Sequence, residues 1–208
     1  MKVPVIKSHV PTLAVLAACL GGCASTPVPT LLTLPPAVFG PASASGGGAS
    51  MPVMSVARID VPEYLLARRV RYRADDSSLA EWPDTFWAER VEIGISREFA
   101  AAVRQMLPGW RLCETNCGEQ PLQMSLQVTL DRLDYVRSSR QLHAGARLML
   151  WSPERPARLL RTEERRYAIA GHDDTAQSQA RTVTELLRRI AMDASAMIPL
   201  PAPASPHR

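Results

Sequence analysis

The stretch LQMSLQVTL occupies residues 122–130. Leu122, Met124, Leu126, Val128 and Leu130 alternate there with Gln123, Ser125, Gln127 and Thr129. A period of two sends successive side chains to opposite faces of a strand, so the pattern predicts a sheet with one apolar face and one wet face. Downstream, HAGARLMLW (143–151) repeats it, with Ala144, Ala146, Leu148 and Leu150 on one side. Ser152-Pro153-Glu154-Arg155-Pro156 reads as a turn and RLLRTEERRYA (158–168) as a return strand. These three strands predict an antiparallel meander whose apolar face needs a cover.

Two stretches can supply that cover. Asp173 or Asp174 can cap a helix running to about Ile198, in which Ala176, Ala180, Val183, Leu187, Ile190, Ala194 and Met197 recur at threes and fours. A second helix is predicted in TFWAERVEIGISREFAAAVRQMLPG, from the spacing of Ala88, Val91, Ile95, Phe99, Val103 and Met106. Trp87 would seat it on the sheet, Glu89 would favour its dipole, and Pro108-Gly109 would stop it. Residues 52–61 and 70–73 read as strands separated by a turn at Pro62–Leu65. After a turn at 75–78, Leu79–Trp82 reads as a short strand ended by Pro83, and Trp110–Leu112 begins another. TLLTL (30–34) is either a chance apolar island or a first edge strand. The expected fold is a two-layer α+β domain: a mainly antiparallel sheet with two amphipathic helices packed on one face.

The N-terminus addresses the compartment. Lys2, Lys7 and His9 precede an apolar run from Val10 to Leu20, then Gly21, Gly22 and Cys23. A basic start, a short greasy stretch and a small-residue cleavage zone make a secretory signal, too short for a bilayer core of about 30 Å. Leu20-Gly21-Gly22-Cys23 has the form of a bacterial lipobox, which marks Cys23 for acylation. The organisation expected is a signal at 1–22, then the lipidated Cys23 with a flexible Pro/Gly/Ser linker to residue 50. A folded domain over 51–198 and a loose tail at 199–208 complete it. Export leaves Cys113 and Cys117, which tend to pair in an oxidising compartment. Their CxxxC spacing is not that of a CxxC redox site, and a metal would need two more ligands where only His143 and His172 are on offer.

Charge and motifs narrow the function classes. Both lysines lie in the signal, and the remaining 22 arginines face 20 acids, so nucleic acid is not an expected partner. No GxSxG, HExxH or glycine-rich phosphate loop appears. His172-Asp173-Asp174 fits a helix cap better than catalysis. An enzyme is not expected, nor is a cofactor.

The lipobox Cys23, LLTLPP (31–36), VPEYL (61–65), VRYR (70–73) and FWAE (86–89), in that order, resemble the ABC-type transport auxiliary lipoproteins, the PqiC-like group linked to membrane integrity and lipid transport. Leu31 and Leu32 stand where that family often has tyrosine. The resemblance implies a non-enzymatic accessory whose partners are an MCE-type periplasmic protein and the permease and ATPase of an ABC transporter. Acyl chains would hold it in the membrane. Ala24, where an inner-membrane protein would carry Asp, points to the outer membrane and its periplasmic face. A carrier of phospholipid or another small ligand, bound between sheet and helices, is the alternative. Tyr64, Arg73 and Trp87 are the candidate partner contacts, because tyrosine, arginine and tryptophan are enriched at interfaces. The competing reading gives them fold roles: Tyr64 and Tyr72 packing a ring with the hydroxyl at the rim, Trp87 fixing the first helix.

Overall fold

The computed structural model describes residues 28–37, 51–114, 117–118 and 121–199. The signal, Cys23, the stretch 38–50 and the tail beyond residue 199 lie outside the described residues. The alternating stretch is the N-terminal part of β6 (Leu122–Val136), the longest strand among the described residues. It runs antiparallel to β7 (Gln141–Trp151), which runs antiparallel to β8 (Leu159–Ala170). The meander is as the alternation predicts.

The other edge of β6 is shared. β2 (Val53–Val56) lies parallel along its first half, with Met54 opposite Met124 and Val56 opposite Leu126. β3 (Arg69–Arg73) meets its far end, Arg73 opposite Val136. β5 (Arg111–Cys113) adds to β2 in parallel, β4 (Leu79–Trp87) to β3 antiparallel, and β1 (Thr30–Leu32) to β4 in parallel. Among the described residues the result is one mixed, largely antiparallel eight-stranded sheet. Residues 57–65 fill the fork between β2 and β3. Asp60 bridges to Thr129, and a single 3-10 turn covers Glu63–Leu65.

Helices α1 (Val91–Met106) and α2 (Ala176–Met197) cover the apolar face. Ile95, Val103, Leu186, Leu187 and Ile190 have no exposed surface and Phe99 almost none. Each such side chain contributes roughly 1.5–3 kcal/mol by leaving water. Polar groups tie the layers together. Gln179 of α2 accepts from Trp82 Nε1 at 2.7 Å and donates to the Arg71 carbonyl at 2.7 Å. After β1 the chain crosses both helices: Thr184 donates to the Pro35 carbonyl at 3.0 Å, and Ala37 N–H donates to Glu98 at 3.0 Å.

Three expectations need correction. FWAE does not open α1: Phe86 and Trp87 are the last residues of β4, and the helix starts at Val91 with Glu92 as its first-turn acid. Glu89 instead pairs with Arg97 at 2.7 Å. Pro83 does not end β4. Arg69 stands opposite Phe86 and Arg71 opposite Glu81, so Trp82–Thr85 bulge out against Val70 alone, with Asp84 at φ 43°. A bulge needs no ladder N–H from its extra residues, which is where a strand can hold proline. The cap of α2 is neither Asp173 nor Asp174 but Thr175, whose hydroxyl accepts from Ser178 N–H at 3.1 Å. Asp173 accepts from the Thr175 hydroxyl, and Asp174 takes Arg137 in a two-pronged pair.

Candidate functional site

The second half of β6 departs from simple alternation. Leu130 faces Ala146 and Arg132 faces Gly145, so Asp131 is an extra residue on β6. A Cβ on Gly145 would fall 2.0 Å from Asp131 Oδ1, which is why glycine stands opposite this bulge. The extra residue inverts the phase: Leu133 and Tyr135 now face the helices, and Asp134 faces the other side of the sheet.

Asp134 is nevertheless only 4% exposed. Arg73 Nη2 donates to its Oδ1 at 2.8 Å, Arg132 Nε to its Oδ2 at 2.7 Å, and the Tyr64 hydroxyl to its Oδ1 at 3.1 Å. Tyr64 oxygen in turn accepts from the Leu133 N–H at 3.1 Å. The 3-10 turn after Pro62 delivers Tyr64, and the end of β3 delivers Arg73. Burial pushes the Asp134 carboxyl up, but the hydrogen bonds from Arg73 and Arg132 prevail and hold it below the usual carboxylate range. Burial is also the main reason that the Tyr64 phenol is raised, with the Asp134 charge adding to it. The hydrogen bond to Asp134 raises Arg73 further. All three groups therefore hold fixed charge states through neutral pH, and the cluster is not a proton shuttle.

The structure brings Tyr64 and Arg73 together, the guanidinium 6.0 Å from the ring centroid. Trp87 is not beside them on the surface. It pairs with Leu32 across β1 and β4, is 7% exposed, and meets Tyr64 only around a recess of about 20 Å³ beneath the turn. Sequence reasoning missed Asp134 and Arg132. The legible signal was DRLDY (131–135), where acids and a base break a strict alternation while apolar residues continue one step out of phase. Cys113 and Cys117 are joined in a disulfide, Cα atoms 5.2 Å apart.

A second feature flanks α2. A groove of about 690 Å³ runs between the helix, the end of β8 and Pro35-Pro36, with Ile169 in its floor and Arg181 and Arg189 at its margin. On β8, Glu163 pairs with Arg161 at 2.5 Å and also with Arg165, and Arg147 of β7 donates to Glu164 at 3.0 Å. The mixed charges thus pair among themselves along an edge strand, a common protection against unwanted strand addition.

A sequence model of the family described as ABC-type transport auxiliary lipoprotein component matches residues 32–191. The chain belongs to that family. Its role is that of a non-enzymatic auxiliary component of ABC-type transport, and ABC transporter components are its partners. No curated protein matches the sequence. A crystal structure of an uncharacterized protein superposes with a TM-score of 0.66 at 15% identity, over 82% of this chain and 99% of the other. One from Xanthomonas campestris does so at 0.58 and 12% identity, over 82% and 91%. At such identities these likenesses establish the fold alone. Among the described residues no helix is long and apolar enough to cross a membrane.

Proposed function

We propose that the chain is the lipid-anchored accessory of a lipid-transport machine, held by acyl chains on Cys23 in the outer membrane and facing the periplasm. Its partners in this reading are an MCE-type periplasmic protein and the permease and ATPase of an ABC transporter, and its physiological outcome is envelope integrity. Residues 1–22 are the signal, 23–50 the lipidated linker from which β1 is drawn, 51–198 the docking domain and 199–208 its tail. The family match over residues 32–191 carries the reading. The surface around Tyr64 and Arg73 is its contact site, with Trp87 supporting the turn from below.

Capture of the protein from its own envelope in mild detergent tests this. The transporter and the MCE-type protein are expected to co-purify, and their absence would count against the transport assembly. The contact site is tested by Tyr64→Ala and Arg73→Ala combined with Asp134→Asn, so that no buried charge is left stranded. Lost capture with an intact melting transition supports the site; unchanged capture removes it.

The carrier alternative has one supporting observation, the groove beside α2, whose volume lies within the ~300–1,000 Å³ usual for small-molecule sites. Phospholipid recovered with the purified protein, without transporter components, would favour it.

A further inference from the structure

The chain enters the fold through β1, and β1 carries leucine on both faces. Leu32 points inward against Trp87, both 7% exposed. Leu31 points outward and is 57% exposed, and Val28, just before the strand, is 88% exposed. Leu31 stands opposite Phe86 of β4, and Phe86 opposite Arg69 of β3, so the three form one rung across three strands. The Arg69 guanidinium lies 4.8 Å from the Phe86 ring centroid. Leu66, 48% exposed, comes three residues before Arg69, and Arg68 is exposed between them. The acid nearest Arg69 is Glu81, which stands opposite Arg71 and lies 3.4 Å from Arg69 and 3.3 Å from Arg71. Edge strands of water-soluble domains usually turn polar side chains outward, so an apolar ridge with arginines at its margin calls for a covering surface.

Chain length identifies that surface. Five residue steps separate Cys23 from Val28, and an extended chain spans at most about 18 Å in that number. The Gly/Ser stretch follows β1 and adds nothing to this tether. The inference rests on the reading that Cys23 carries acyl chains. Given that anchor, the ridge can never leave the immediate neighbourhood of the lipid headgroups.

We propose that the ridge of Val28, Leu31, Phe86 and Leu66, with Arg68 and Arg69 beside it, rests on the phospholipid surface in which Cys23 is anchored. The apolar side chains enter the boundary between headgroups and acyl chains, and the arginines lie along it with their guanidinium groups toward phosphate. β3 then leads away from the ridge, from Arg69 to Arg73, and carries the Asp134 cluster at its far end. Membrane contact and partner contact thus occupy opposite ends of one strand, so the bilayer sets the orientation in which the domain meets its assembly.

The test uses the full, acylated protein reconstituted in vesicles of phosphatidylethanolamine and phosphatidylglycerol. One sample carries a fluorophore on a cysteine replacing Leu31. A reference carries it in place of Leu160, which is 45% exposed on β8. Lipids bearing a quencher at headgroup depth are expected to quench the label at position 31 several-fold more strongly than the label at 160. Leu66→Glu in the first sample should reduce that quenching. Equal quenching at the two positions, or no response to Leu66→Glu, overturns the proposal. So does shielding of position 31 that appears only when transporter components are added, which would assign the ridge to a protein. Mass spectrometry of the same samples separates the two levels. An unmodified Cys23 defeats the anchoring itself, whereas acylated protein with equal quenching defeats the ridge alone.

Discussion

Replacing Asp134 by asparagine keeps the size of the side chain and removes the charge on which three donors converge. Arg73 is the sensitive partner. Its side chain is 19% exposed and its Nε is buried without a hydrogen-bond partner, so water cannot readily take the place of the carboxylate. Arg132 is 53% exposed and hydrates easily. Removing one member of a fully buried ion pair costs about 3–5 kcal/mol. The open Arg132 and the acceptor retained by the amide bring the expectation for Asp134→Asn to about 2–3 kcal/mol. In a domain of this size that is a fall of roughly 5–10 °C in melting temperature. The pH dependence follows from the direction of the shift. The folded carboxyl titrates below its unfolded value near ~4, so its contribution is complete above that value and is lost as pH falls through the lower, folded one. Melting and urea curves of both proteins at about pH 7 and about pH 3 therefore decide the matter: the gap should be wider at the first than at the second. A variant as stable as the parent at neutral pH, or a gap of the same width in acid, would refute the role given to the cluster.

Two further outcomes are expected. Leu187→Ala removes a side chain with no exposed surface and should cost about 2–5 kcal/mol in urea denaturation, with collapse of the site setting where in that range it falls. Thr175→Ala should cost about 0.5–2 kcal/mol through loss of the α2 cap, whereas Asp173→Ala should leave most of the cap energy in place; both are read from thermal melts.

The core of the fold was legible wherever the pattern was local. Alternation in 122–130 and 143–151 marked β6 and β7, and threes and fours in 176–197 marked α2. Parallel pairing of β2 with β6 was not legible, because the partners are some seventy residues apart and nothing in either strand names the other. Pro83 read as a strand end because it cannot donate to a ladder, yet the bulge around Asp84 removes that demand. Ala88 extended the apolar spacing of α1 backward and drew Phe86 and Trp87 into the helix, although one faces out and the other in, as strand residues do. Tyr64 and Arg73 could be singled out by residue type. Asp134, which unites them, is marked in the sequence only by the broken alternation of DRLDY, and its burial depends on a phase change at Asp131 and on a glycine in the neighbouring strand.

The anchor at Cys23 underlies both the partner reading and the membrane ridge, and the intact mass of protein taken from its native envelope addresses it directly. The expected species begins at Cys23 and carries the added mass of diacylglycerol and an N-terminal acyl chain. A mature protein that still contains residues 1–22, or that presents an unmodified Cys23, would contradict it.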